Sequence, residues 1–182
     1  MLTFAPRMQT MEQYRIDLKS LIADETHLHF DLDNRFFAAL EGSQIDSGTL
    51  DADLTIRKLS GFFELLFTIS GTVSIPCDLC LDPMEQPIQT ENRLVVKLGE
   101  TPSDDDELVV VDADAPVIDV AWYLYEFIML SIPIKHIHAP GKCNDAMTQK
   151  LKELSTARSS DEKDSTSIDP RWSALSKLKL DD

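Results

Sequence analysis

The sequence predicts an α+β fold, in which an antiparallel β-sheet meander is packed by a central helix and followed by a C-terminal helical tail. Apolar and polar residues alternate through residues 13–111 with only short turns, as expected for half-buried antiparallel strands. Helical periodicity begins only after Asp119. A segment rich in serine, threonine and charged residues then precedes a last amphipathic stretch.

The first part of the chain predicts a run of strands broken by one short helix. Asn34 is placed to cap that helix over residues 35–40, and Gly42 to end it. His27 and His29 lie on the polar side of their strand, so we expect both to be solvated. The strands are predicted at residues 14–19, 27–33, 50–56, 63–75, 88–98 and 108–111.

The second part of the chain predicts helices. Asp119 is placed to cap a helix over residues 120–130, whose two apolar sides indicate burial. An amphipathic helix follows at residues 144–154. The predicted organisation is a domain at 1–154, a disordered linker at 155–168 and an amphipathic helix at 169–182 anchored by Trp172 and Leu175.

Charge limits the partners that this protein can bind. The chain has 182 residues and a formal net charge of −15, which repels bulk nucleic acid and anionic membranes. Any RNA contact must therefore be local or be made through a basic partner. Asp104, Asp105 and Asp106 form an acidic run that predicts a mobile loop able to bind such a partner. Alternatively, the charge serves solubility alone.

The sequence also predicts a cytoplasmic location. The N-terminus lacks the basic and apolar regions of a secretory signal, and the chain has only three cysteines. The longest apolar run, residues 117–134, contains Asp119, Glu126 and Pro133 and is too polar to cross a bilayer. We therefore expect no membrane partner.

A Cys-x-x-Cys motif at the end of a predicted strand is the main chemical signal. Cys77 and Cys80 are joined far downstream by His138 and Cys143, and thiolate and imidazole donors suit tetrahedral zinc. These four residues are the predicted metal ligands, although His136 competes with His138 for the same role. The alternative is three reduced structural cysteines and a solvated histidine.

Catalysis has little support in the sequence. A thioredoxin-type Cys-x-x-Cys begins a helix within a βαβ unit, whereas this motif follows a meander strand and Pro83 would interrupt a helix. Gly-rich phosphate loops, Gly-x-Ser-x-Gly and His-Glu-x-x-His motifs are missing from the sequence. We therefore predict no enzymatic activity and no small-molecule substrate, with a thiol–disulfide redox protein as the weakest alternative.

Local cations mark a second candidate binding surface. Lys135 and Lys142 flank His136 in the stretch richest in positive charge, so these three residues are the predicted contacts if RNA is bound directly. If the partner is a basic protein, the acidic run at residues 104–106 is the predicted contact instead.

Three blocks of the sequence, in this order and spacing, resemble the YceD family, the large ribosomal RNA subunit accumulation proteins. They run from residue 71 to residue 178, from a strand and turn through the end of the predicted helix to the C-terminus. The blocks are Gly71-x-Val73-x-x-x-Cys77-x-x-Cys80-x-x-Pro83, Leu130-x-x-Pro133 continuing to His138-x-x-x-x-Cys143, and Asp169-Pro170-Arg171-Trp172-x-Ala174-Leu175-x-x-Leu178.

The resemblance implies a non-enzymatic bacterial factor needed for normal levels of large-subunit (23S) ribosomal RNA. Family members are typically encoded next to a small zinc-ribbon protein of the large subunit. Many carry the Cys-x-x-Cys and a later cysteine, and some carry a second cysteine pair. This chain lacks that pair, and His138 is the replacement ligand. The implied partners are a large-subunit ribosomal protein, precursor ribosomal RNA, or both; alternatively, the protein is an acidic chaperone for a basic ribosomal protein without an RNA role.

Overall fold

Seven strands and three helices make up residues 11–99 and 108–160, the part of the chain that this computed structural model describes. These residues form two units, one ending at His138 and one beginning at Ala139. The strands are β1 (Arg15–Asp17), β2 (Glu25–Leu32), β3 (Ser47–Leu59), β4 (Phe62–Pro76), β5 (Pro83–Leu98), β6 (Leu108–Val111) and β7 (Val117–Asp119). The helices are α1 (Asn34–Ala39), α2 (Ala121–Ser131) and α3 (Asp145–Ser160), and a 3₁₀ turn (Glu12–Tyr14) precedes β1.

The main sheet has the strand order β2-β3-β4-β5-β6. Each pair from β2 to β5 is antiparallel, and these strands follow one another in sequence, which confirms the predicted α+β fold with an antiparallel meander. β6 differs from the meander because it pairs with β5 in parallel. β1 and β7 form a separate antiparallel pair.

One face of the sheet is buried because apolar residues occupy alternate positions on each strand. β4 shows the pattern over fifteen residues, with Leu65, Phe67, Ile69 and Val73 all at most 1% exposed. β4 and β5 remain paired from Phe62↔Lys97 to Pro76↔Pro83. The Cys-x-x-Cys therefore lies at the tip of a long hairpin, as the sequence predicts.

Helix α2 belongs to the first unit and leads directly into the segment that contains His138. It buries Ala121, Leu124, Tyr125 and Ile128, which lie on one stripe of the helix. Phe127 packs edge-on against Phe67 of β4, with ring centroids 5.1 Å apart. This packing fixes the end of α2 against the sheet, and the segment leading to His138 follows directly.

The two helix starts in the first unit each differ from the prediction by one residue. Asp33, rather than Asn34, caps α1, and its carboxylate accepts hydrogen bonds from the Arg35 and Phe36 N–H groups. Asn34 instead accepts from the Gly48 N–H, so the prediction that it caps α1 is wrong. The Asp119 carboxylate accepts from the Ala121 N–H, although the helix begins one residue later than predicted.

Helix α3 belongs to the second unit. Its N-terminus is capped by Asn144, whose side-chain oxygen accepts hydrogen bonds from the Ala146 and Met147 N–H groups. The helix continues to Ser160, so residues 155–160 are helical where the sequence predicts the start of a linker. The rest of that linker and the predicted tail helix lie outside the described residues.

Gly71 is the position where the sheet depends most directly on a missing side chain. Its φ is +149°, and a Cβ there would lie 2.3 Å from the carbonyl oxygen of Thr49 on β3. We expect Gly71→Ala to destabilise the protein by about 3 kcal/mol, because both strain and backbone overlap are introduced. Thermal and urea unfolding would measure the loss.

Gly61→Ala is the matched control for that substitution. Gly61 also has a positive φ, of +92°, but a Cβ there meets nothing within 4 Å. Its cost should be about 1 kcal/mol, from the backbone conformation alone. Equal losses in the two variants would show that the close approach of β3 to Gly71 is unimportant.

Candidate metal centre

The Cys-x-x-Cys turn is a tight knuckle between β4 and β5. The Cys77 N–H donates to the Asp82 carbonyl at 2.9 Å, and the Leu81 N–H donates to the Cys77 carbonyl at 2.8 Å. Leu81 has a φ of +63°, a left-handed conformation that lets the chain close the turn. Both thiols are buried as a result, with Cys77 0% and Cys80 2% exposed.

The segment that follows α2 is hydrogen-bonded to this knuckle in both directions. The Asp78 N–H donates to the His136 carbonyl at 2.9 Å, and the His136 N–H donates to the Asp78 carboxylate at 2.8 Å. The His138 N–H also approaches the Cys77 Sγ, at 3.4 Å. Residues far apart in sequence are therefore held together by backbone contacts, which places the His138 ring beside the thiols.

The His138 ring is oriented for ligation through one particular nitrogen. Its Nε2 lies 3.2 Å from the Pro83 carbonyl oxygen, which can only accept, so Nε2 carries the proton. Its Nδ1 lies 3.4 Å from the Cys80 Sγ and thus presents its lone pair to the thiols. A carbonyl that holds the second ring nitrogen is the usual support of a metal-bound histidine.

The Cys77 thiol is prepared to ionise. Burial raises its pKa, but hydrogen bonds from the backbone N–H groups of Cys80, His138 and Leu79 outweigh burial and lower the pKa from 9.0 to about 6. The Leu79 N–H lies 3.4 Å from the sulfur. The thiolate is the form that binds metal, so the turn favours the ligating state before any ion arrives.

His136, the competing candidate, points away from the thiols. Its Nδ1 faces the Pro133 carbonyl at 3.0 Å and its Nε2 faces the Asp78 carboxylate at 3.3 Å. Both ring nitrogens are thereby directed at acceptors of the protein itself. Of the two candidate histidines, His138 is therefore the one whose ring faces the thiols.

The first unit alone brings three of the four predicted ligands together. The donor atoms of Cys77, Cys80 and His138 all lie within 4.8 Å of one another. Two thiols and an imidazole suit zinc, and the described residues contain no disulfide that would consume the thiols. Cys143, the fourth predicted ligand, lies in the second unit just before α3 and is half-buried.

The remaining predicted contact residues are placed as follows. Lys135 and Lys142 are exposed, as a role in binding requires. The acidic run at residues 104–106, and Trp172 and Leu175, lie outside the described residues. Their proposed roles remain predictions.

Sequence reasoning missed the residues that support the ligands. Asp78 occupies the first variable position of the Cys-x-x-Cys motif. Pro83 acts through its backbone carbonyl, which every residue has. Neither role can therefore be recognised from the sequence. His27 and His29 are exposed as predicted. His29, however, contacts Asp53 at 2.8 Å, and this hydrogen bond is the main cause of its raised pKa.

The fold and site define an acidic α+β protein in which two buried cysteines at a hairpin tip meet a half-buried histidine. The family model described as "Large ribosomal RNA subunit accumulation protein YceD" matches residues 65–179. The chain therefore belongs to the YceD family. It is 30% identical over 133 residues to "Uncharacterized protein YlbN" of Bacillus subtilis (strain 168), covering 72% of this chain and 73% of that protein.

No solved structure matches the chain with significance. None of the helices in the described part of the chain combines the length and apolarity needed to cross a membrane.

Substituting His138 and His136 one at a time distinguishes a proposed metal ligand from a residue that only supports the loop. We expect His138→Ala to weaken zinc binding by roughly 100-fold or more, because a donor is lost. His136→Ala should weaken it by only about tenfold, through loosening of the loop. Competition against a chromogenic chelator, under reducing conditions, would measure both affinities. Equal losses would remove the distinction between His138 and His136.

The lowered Cys77 pKa predicts a pH dependence of the metal-free protein. Between about pH 6 and pH 9 the unfolded thiol binds more protons than the folded one, so this group adds stability as pH rises and loses it as pH falls towards 6. Unfolding at several pH values should show this rise in the wild type but not in Cys77→Ser. Parallel pH profiles of the two proteins would contradict the assignment.

Proposed function

We propose that this protein is a non-catalytic, zinc-stabilised bacterial factor that supports accumulation of large-subunit (23S) ribosomal RNA by binding a basic large-subunit ribosomal protein. Membership of the YceD family, matched over residues 65–179, is the observation that carries the ribosomal role. The charge of −15 and the Cys/His cluster support the choice of partner and of cofactor. The proposed setting is the cytoplasm.

The proposed zinc site has three protein ligands in the first unit and Cys143 as the fourth. Cys143 follows His138 by five residues, a span of at most about 18 Å when fully extended, so the chain can deliver it to the same ion. A site with four protein ligands has no open position for a substrate and is structural. When bound, zinc would cross-link the hairpin tip to the segment after α2.

The structural role also fits the burial of the thiols. A lowered Cys77 pKa suits redox chemistry as well as ligation. However, thiol–disulfide exchange needs a sulfur that another sulfur can attack, and Cys77 and Cys80 are both buried. The cluster also lies in a hairpin turn rather than at a helix N-terminus. These features favour metal binding over thiol–disulfide catalysis.

Charge favours a protein partner over RNA. A chain at −15 gains little from counterion release on RNA, whereas a basic ribosomal protein is attracted to it. The open face of the sheet adds local negative charge, because Asp31 and Asp51 lie directly opposite each other and Asp53 lies nearby. Precursor ribosomal RNA, contacted through Lys135, His136 and Lys142, is the second candidate partner.

A deletion strain tests the cellular role. Loss of the gene should lower the ratio of 23S to 16S ribosomal RNA and reduce free large subunits in sucrose-gradient profiles. Wild-type protein should restore both, and Cys77→Ser/Cys80→Ser should restore them only weakly. Normal ribosomal RNA levels and subunit profiles in the deletion strain would refute the proposed function.

Paired charge variants decide between the two partners. If a basic protein is bound, Asp104→Asn/Asp105→Asn/Asp106→Asn should weaken binding and flatten its dependence on salt. If RNA is bound, Lys135→Glu/Lys142→Glu should do so instead. Capture by the tagged protein, with and without ribonuclease, at two salt concentrations would separate these outcomes.

A further inference from the structure

Large apolar side chains are exposed around the Cys/His cluster. Leu79 and Leu81 project from the knuckle, and Ile134 and Ile137 from the segment after α2; we call these four residues the knuckle patch. They are four of the nine exposed large apolar residues in the described part of the first unit. Ile134 is fully exposed and Leu81 is 67% exposed. Exposed apolar residues gathered at one place mark an interaction surface.

The two halves of the patch are held at a fixed separation. Asp78 and His136 exchange backbone and side-chain hydrogen bonds, and His138 contacts both Cys77 and Cys80. Leu79, Leu81 and Ile137 are immediate neighbours of these bonded positions, and Ile134 lies two residues before His136. The surface is therefore built on a rigid turn rather than on a loose loop, which lowers the entropy lost on binding.

The backbone at Leu81 gives independent support. Its left-handed conformation costs about 1 kcal/mol for a leucine and almost nothing for glycine or asparagine. The Leu81 side chain is exposed, so core packing does not explain why a leucine stands there. Backbone strain of this kind persists where the surrounding structure fixes it, and such positions cluster at functional sites.

The chemistry of the patch and the charge of the chain select one occupant. RNA-binding surfaces rely on aromatic stacking and cations. The patch is aliphatic, and Lys135 is the one lysine or arginine in residues 77–82 and 134–138, the two stretches that carry it. A second copy of this chain would bring another charge of −15 to the surface and be repelled. A basic protein with an apolar contact segment satisfies both constraints.

We propose that the knuckle patch is the docking surface for the basic large-subunit ribosomal protein, an inference that rests on the proposed function. The acidic charge attracts the partner, and the aliphatic residues supply the part of the affinity that does not depend on salt. Zinc binding would brace the patch further, because Leu79 and Leu81 adjoin Cys80 and Ile137 adjoins His138 in the sequence.

The experiment compares one double variant and one single-site control with the wild type. Leu81→Asn/Ile134→Ser removes the two most exposed patch residues, and asparagine suits the backbone at position 81. Ile22→Ser is the matched control, because Ile22 is 99% exposed and lies in the turn before β2. RNA-free protein extracted from large ribosomal subunits is the probe. The protein that the wild type captures is identified by mass spectrometry, purified and titrated at several salt concentrations.

We expect Leu81→Asn/Ile134→Ser to bind at least about tenfold more weakly than the wild type, with the same salt slope and zinc content. Ile22→Ser should bind like the wild type. Unchanged affinity in the double variant would overturn the docking surface and leave the proposed function standing. Failure of the wild type to bind any large-subunit protein would overturn both.

Two further outcomes would overturn the assignment of the occupant. One is weaker binding of purified 23S ribosomal RNA by the double variant, with binding of the protein partner unchanged. The other is a wild-type dimer in sedimentation analysis that Leu81→Asn/Ile134→Ser dissociates. The full-length, zinc-loaded protein is used in every arm.

Discussion

The reciprocal hydrogen bonding between Asp78 and His136 is the constraint on which the site depends. It ties the tip of the β4–β5 hairpin to the segment after α2, two parts of the chain separated by 58 residues. Without this tie, His138 would not be held beside Cys77 and Cys80. The ring of His136 is held by separate contacts, with its Nδ1 facing the Pro133 carbonyl and its Nε2 facing the Asp78 carboxylate, so it points away from the thiols.

The length of the hairpin makes that constraint possible. β4 and β5 pair without interruption from Phe62↔Lys97 to Pro76↔Pro83, which carries the knuckle to the far end of the sheet. Gly71 allows the close approach of β3 within this arrangement. Packing of Phe127 on Phe67 then anchors α2 to the sheet, so the segment that contains His138 begins from a fixed point. The packing of the core therefore helps to position the residues of the site.

The surface of the protein has regions of different charge and polarity. The sheet face gathers Asp31, Asp51 and Asp53 around His29. The hydrogen bond with Asp53, helped by Asp31, holds the His29 pKa above its ordinary value. The knuckle patch instead presents aliphatic side chains beside the Cys/His cluster. An acidic body with an apolar contact surface fits the basic protein partner that we propose.

The sequence by itself determined the fold class, the strands of the hairpin and the candidate ligands. Alternation with period two favours a sheet with one buried face, and a Cys-x-x-Cys that follows a strand and precedes Pro83 favours a turn over a helix. The first capping residue was missed by one position, because Asp33 and Asn34 are both good caps and only the path of the chain selects between them.

Only the tertiary structure decided which histidine faces the thiols, because His136 and His138 are equivalent in spacing and differ in their hydrogen-bond partners. It also revealed the left-handed Leu81, the supporting roles of Asp78 and Pro83, and the parallel pairing of β6. Each of these depends on contacts between segments distant in sequence. Local patterns carry the periodicity of an element but not the identity of the atoms that it will meet.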